Sequence, residues 1–190
     1  MRGDTQGASL GENTAFRSAM FRSLFARLTG APKRGEALFG LAVAQARQPH
    51  WFIDGRVPDT VNGRFAVLAT VTALIIVRLE QAGNEGEEAS VALTERFVET
   101  LDAEVREMGV SDPGIGKQVR KLVGALASRV GRWRKVSVSG DGWPAEIRHG
   151  LYLDEPTGDD ALAHSESALK ELWSRLGASG LDDLLKGKLQ

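Results

Sequence analysis

The sequence predicts an all-α fold, a single-domain bundle of about six to eight helices joined by short loops. Three observations predict it. Apolar residues recur at three- and four-residue spacing through most of the chain. Helix-start and helix-stop residues bracket each of those segments. One long apolar run, Phe65 to Val77 (FAVLATVTALIIV), is polar at neither face and belongs in the middle of a bundle. The chain of 190 residues is 42% hydrophobic and 26% charged, an ordinary globular composition with enough length for one core.

The elements follow in order. Residues 1–11, polar and Gly-rich without periodicity, read as a disordered tail. Asn13 or Thr14 caps a first helix in which Phe16, Met20, Leu24 and Leu28 follow a spacing of four, widened by Phe21 and Phe25. Arg17, Arg22 and Arg27 take its other side and Gly30 ends it. Pro32 opens a second helix to about Arg47, with Leu38, Leu41 and Val43 apolar, stopped by Gln48-Pro49. His50 to Val57, HWFIDGRV, reads as an aromatic loop or short extended piece.

Pro58-Asp59-Thr60 starts the long core helix, which reaches about Gln81 and ends at Gly83. Its thirteen-residue apolar stretch spans roughly 20 Å, short of a hydrocarbon core of about 30 Å, so it reads as buried in protein. Gly83 to Glu88 reads as an acidic loop, and Ser90 caps a helix running to Met108 on Val91, Phe97, Val98, Leu101, Val105 and Met108. Gly109 supplies its C-terminal stop, with Val110 tucked back against the helix. Asp112 and Pro113 open the next helix. It is two-faced: Val119, Leu122, Val123, Leu126 and Val130 on one side, Lys117, Arg120, Lys121 and Arg132 on the other.

Val136 to Trp143, VSVSGDGW, fits a small hairpin or a loop. Ala145 to Leu151 reads as a short helix. Thr157 or Asp159 opens the last substantial helix, built on Leu162, Leu169, Leu172 and Trp173 and closed by Gly177. Leu181 to Lys186 forms a final turn or two. The domain is thus expected over residues 12–178, with 179–190 a short C-terminal helix or tail.

Composition excludes several functions. With no cysteine there is no disulfide scaffold, cysteine nucleophile or thiolate metal site. The N-terminus reads as lacking a signal peptide, and the expected location is cytoplasmic, peripheral on the inner membrane at most. Net charge is −1, arranged in blocks: +4 over residues 1–47, −6 over 48–109, +6 over 110–140 and −5 over 141–190. Such alternation makes local patches and does not describe a DNA binder.

No catalytic constellation stands out. Gly114-Ile115-Gly116-Lys117-Gln118 resembles the end of a phosphate-binding loop, but Ser111 stands where the first Gly belongs and Gln118 where Ser or Thr would hold magnesium. His50, His149 and His164 have no ligand spacing and read as loop or surface residues. Asp154, Glu155, Asp159 and Asp160 lack the Gly and terminal Glu of a calcium loop and read as a solvated linker. The chain is therefore expected to be no enzyme, with no metal and no cofactor.

Two surfaces remain. The basic 117–135 block, with Trp133 beside it, suits ribosome or RNA phosphates, anionic lipid headgroups, or only solvent. Trp51-Phe52 suits either core packing or the aromatic rim of a binding groove.

Two sequence blocks carry a family resemblance. One is Val57-Pro58-Asp59-Thr60 with Gly63-Arg64-Phe65 and the long apolar helix ending Arg78-Leu79. The other is Phe97 through Leu122, centred on Arg106-Glu107-Met108-Gly109-Val110. A weaker third pairs Gly131-Arg132 with Arg148 to Tyr152. In these blocks, spanning roughly residues 35–175, the chain resembles the ubiquinol–cytochrome c chaperone family, in a bacterial member. It departs from the pattern at Val71, where the family often has His, and at Val130, where an aromatic commonly precedes the Gly-Arg pair.

The resemblance implies a non-enzymatic assembly chaperone that binds newly made cytochrome b, or a small assembly partner, during biogenesis of the cytochrome bc1 complex. Contact residues are expected at Asp59, Thr60, Arg64 and Phe65, at Arg106, Glu107, Met108 and Gly109, and at Lys117, Arg120 and Lys121. Two other readings compete. The apolar helix and its aromatic approach fit a helical module for a lipid or quinone-like small molecule. The basic 117–135 face fits a ribosome- or RNA-associated factor.

Overall fold

A computed structural model describes residues 35–107 and 112–190, with the backbone alone at 102–107, 112–120 and 122. Described residues form helices and connecting turns, and no strand: α1 (Glu36–Ala46), α2 (His50–Ile53), α3 (Val61–Glu80), α4 (Gly83–Glu107), α5 (Asp112–Ser139), α6 (Trp143–Gly150), α7 (Asp159–Ala178) and α8 (Leu181–Leu185). The predicted all-α bundle is what these residues build. The expected N-terminal tail, the helix from Asn13 to Gly30 and the Gly109 stop lie outside the described residues.

α3 is the axis of the bundle, and α1, α4, α5 and α7 pack around it. Val71 through Val77 are all buried, as are Ala66, Val67 and Leu79. Burying each Val, Leu or Ile side chain contributes about 1.5–3 kcal/mol relative to exposure, which overrides the β propensity of the Val71-Thr72 and Ile75-Ile76 pairs. By length and composition alone α3 could cross a membrane, but 67% of its apolar window is buried within this fold. Val71 is fully enclosed and packs as ordinary core.

Five local expectations are corrected. His50 to Val57 is not an extended loop, because α2 occupies His50–Ile53 and seats Trp51 at 2% exposure. Gly83 to Glu88 is not a loop either: Gly83, at φ 75°, ends the chain reversal and α4 starts at once. The reversal is tight because Gly86 lies against the Leu79 carbonyl, where any Cβ would collide. Ser90 therefore sits inside α4 as a buried residue, its hydroxyl donating to Glu87 O at 2.8 Å, and caps nothing. The buried seam of α4 is Ala89-Ser90, Leu93-Thr94 and Phe97-Val98, at helical spacing.

The hairpin-or-loop segment is the fourth. Val136 to Ser139 continue α5, and the chain turns only at Gly140 and Gly142, with φ of 74° and 84°. Gly142 then precedes α6, in which Trp143 and Ile147 are buried and Trp143 packs edge-on to Trp133 at 5.2 Å. Gly177, expected to close α7, lies inside it; the helix runs one residue further, to Ala178.

Arginines tie helix ends together. Arg129 Nη1 donates to Ala66 O, Thr70 Oγ1 and Gly150 O, at 3.0, 2.7 and 2.8 Å, joining α5, α3 and the C-terminus of α6. Arg78 Nε donates to Leu176 O near the end of α7 at 3.0 Å. A cation at a helix C-terminus meets orphan carbonyls and the negative end of the macrodipole. Burial pulls the Arg129 pKa down to about 10, yet the group stays charged at neutral pH.

Candidate functional site

The first sequence block folds into a compact rim at the start of α3. Thr60 adopts extended backbone and its Oγ1 accepts from Gly63 N at 3.2 Å, capping the helix. Gly63 is dictated by space, because a Cβ there would drive into the Pro58 carbonyl. Asp59 and Arg64 form a two-point ion pair across the cap: Arg64 Nε to Oδ1 at 2.6 Å and Nη2 to Oδ2 at 3.2 Å. The Arg64 hydrogen bond holds the Asp59 carboxyl below its ordinary 3.8, and Asp59 in turn raises the guanidinium. The same guanidinium lies over the Phe52 ring, 5.9 Å from its centroid.

Two aliphatic residues near this pair in sequence are exposed. Ile53 is 70% exposed and Val61 82% exposed. Val61 precedes Arg64 by three positions, so both lie on one side of α3. Trp51 and Phe52 divide the two readings offered for them. Trp51 is core, its indole donating to Gln45 O at 2.9 Å, whereas Phe52 is half-buried at the rim. Phe65 is half-buried and packs at 6.0 Å from the ring of Phe97, which itself meets Phe39. Asp59, Thr60, Arg64 and Phe65 are thus brought together, with Thr60 acting as a cap and Phe65 as packing.

Among the described residues, the second block meets that rim through Phe97, whose ring packs on Phe65. Arg106 and Glu107 end α4, and Lys117 and Arg120 lie in the first half of α5, with side chains outside the described residues. Met108 and Gly109 lie outside the described residues altogether. Lys121 is exposed. Gly114 to Gln118 lies within α5, so the phosphate-loop likeness is a helix start.

Further along α5 the basic block is engaged internally. Arg132 Nε donates to both oxygens of buried Glu146 at 3.0 Å. Arg134 makes a bidentate pair with Glu80 at 2.8–3.0 Å. Arg129 is committed to carbonyls and Thr70. The positive charge that suggested phosphate binding is, over 129–134, structural.

Sequence reasoning missed two clusters. His50 Nδ1 lies 3.1 Å from His164 Nε2, although the residues are 114 positions apart. Tyr152, buried, places its hydroxyl 2.6 Å from Gly55 O, 3.1 Å from Ala161 O and 2.7 Å from Ser165 Oγ, pinning the α2–α3 turn to α7. Burial pushes the Tyr152 phenol up. The aromatic closing the third sequence block was the signal for this second cluster. The remaining histidine, His149, pairs with Asp154 at 2.8 Å on the surface. Asp160 pairs with Arg56 at 2.9 Å, so the acidic linker is exposed but not idle.

What this site offers is surface: exposed aliphatic side chains beside ion pairs on rigid helices, the make-up of a protein-contact module. The comparisons bear on the family. The model of the ubiquinol-cytochrome C chaperone family matches residues 54–142, just under half of the chain. Among solved structures, the crystal structure of the Cbp3 homolog from Brucella abortus superposes with a TM-score of 0.70 at 19% identity, covering 95% of this chain and 96% of the other. That likeness is one of fold. The search of curated proteins produced no match.

Proposed function

We propose that this protein is a non-enzymatic assembly chaperone of cytochrome bc1 complex biogenesis, which shields newly made cytochrome b or a small assembly partner before incorporation. The single observation that carries the reading is the α3 rim: Val61 and Ile53 stand exposed beside the Asp59–Arg64 pair, at the start of the family-matched segment. Exposed aliphatic side chains rimmed by charges suit an apolar client. Asp59 and Arg64 then give orientation, while Thr60 and Phe65 hold the rim in shape. Arg106, Glu107, Met108, Gly109, Lys117, Arg120 and Lys121 form the second contact region of this proposal. The protein works in the cytoplasm, peripherally at the inner membrane, and needs no cofactor.

Deleting the gene and recording haem spectra of membranes tests the reading. Loss of cytochrome b and bc1 activity, restored by the native chain but not by an Ile53→Asp/Val61→Asp variant that remains soluble and folded, is the expected result. Normal cytochrome b and bc1 activity in the deletion strain rules the function out. Full rescue by the double variant moves the contact surface away from the rim.

A further inference from the structure

His50 opens α2 and His164 lies in the first half of α7, and both are half-buried. Their facing nitrogens, Nδ1 and Nε2, are 3.1 Å apart, with ring centroids 5.2 Å apart and planes at 63°. This is an N–H···N hydrogen bond, in which one ring lends a proton and the other a lone pair. The same spacing is close to that of two imidazoles sharing one ion placed to the side of the N···N line. Two imidazoles on one tetrahedral zinc ion, each bound at about 2.0–2.1 Å, hold their nitrogens about 3.3 Å apart.

The surroundings favour such an ion. The His50 ring leans on Trp51 at a centroid distance of 4.3 Å, and Trp51 is anchored to Gln45 O, so the ring is held in place. Burial, and then the neighbouring His164, lower the His50 pKa from 6.5, while Asp54 on the α2 side and Glu171 on α7 act against that shift. The two carboxylates add negative potential that favours a cation. Among the described residues no cluster of three or more His, Asp or Glu side chains surrounds the pair.

We propose that His50 and His164 form a two-imidazole site for a borderline divalent metal ion of the zinc–copper class, bridging α2 to α7. Imidazole nitrogen is the donor type that such ions select over calcium or magnesium. The bound ion staples two helices far apart in sequence and braces the base of the α3 rim.

The test is a titration of the chelator-stripped, full-length protein with zinc chloride alone. One ion per chain is expected to bind. Outer-shell changes around metals already cost about 10–100-fold in affinity, so His50→Ala and His164→Ala should each weaken binding by at least roughly tenfold. His149→Ala should leave it unchanged. Nitrogen-15 spectra of the imidazoles in the unsubstituted protein give a readout that no folding defect can confuse. Zinc should shift His50 Nδ1 and His164 Nε2 and leave His149 in place. Saturating zinc should also raise Tm in the native chain and in neither variant of the pair. Affinity unchanged from the native chain in both variants, or zinc shifts confined to His149, overturns the site and leaves the hydrogen bond as the whole role of the contact.

Discussion

One helix carries two opposite regimes. Over Ala66–Leu79, α3 is almost wholly enclosed, and only Leu68 and Arg78 reach partial exposure. Over its first turn and the approach from α2, the same helix presents Val61 at 82% exposure and an ion pair open to solvent. The buried stretch is governed by volume and cavity cost; the rim is governed by what it displays. Apolar residues serve stability in one place and, under the proposed function, recognition in the other, and only burial separates them. Substitutions should therefore fall on two scales.

The largest effect belongs to the core. Leu74 is fully buried at the centre of α3. Leu74→Ala should destabilise the protein by about 2–5 kcal/mol, through lost transfer energy and the cavity left behind. Urea denaturation followed by circular dichroism measures it. A loss below about 1 kcal/mol would mean the enclosure of α3 is loose, and the contrast with the rim would weaken.

Next comes Arg129, the cation between α5, α3 and α6. Arg129→Met removes donors from Ala66 O, Thr70 Oγ1 and Gly150 O while keeping much of the aliphatic volume. Hydrogen bonds from a charged donor contribute about 1.5–3 kcal/mol, and that is the expected loss. Thermal unfolding checks it, and a double cycle with Thr70→Val should show the two changes to be non-additive.

These two positions differ in how visible they were. The α3 core was legible because an unbroken apolar run needs no partner to be recognised. The rim was half-legible: Thr60 as a cap, Asp59 beside it and Gly63-Arg64 next to an aromatic stand within a few residues of each other. The His50–His164 contact and the three-way Arg129 junction were not legible, because helix packing, and not local spacing, brings those residues together. Val136 to Ser139 misled for the opposite reason. Alternating β-branched residues carry a local strand signal, and α5 overrides it because Val130 and Trp133 are already committed to the core. Arg132 and Arg134 misled too: their positive charge was visible, but their partners, Glu146 and Glu80, were not.

At the rim the effects shrink. Thr60→Ala deletes the cap on Gly63 N and should cost about 0.5–2 kcal/mol, with Thr60→Ser restoring most of it. Denaturation midpoints of the three proteins settle the order. A zero cost would show that the Asp59–Arg64 pair alone fixes the start of α3.

The smallest effect concerns that pair, and pH isolates it. The Arg64 hydrogen bond depresses the Asp59 carboxyl below 3.8 in the folded chain. A carboxylate with a lowered folded pKa contributes stability above its unfolded value and loses it as pH falls through the folded one. The contribution should therefore be fully present at neutral pH and vanish only under strong acid. Because both partners face solvent, it should be slight and fade with added salt. A carbon-13 pH titration of Asp59 should show its midpoint below 3.8 in the native chain and return toward 3.8 in Arg64→Gln. Unfolding midpoints of the two proteins at pH 7 should nearly coincide, while client capture falls in Arg64→Gln. If Arg64→Gln instead unfolds as readily as Leu74→Ala, the pair is part of the scaffold, and the division of α3 into a stabilising core and a displayed rim does not hold.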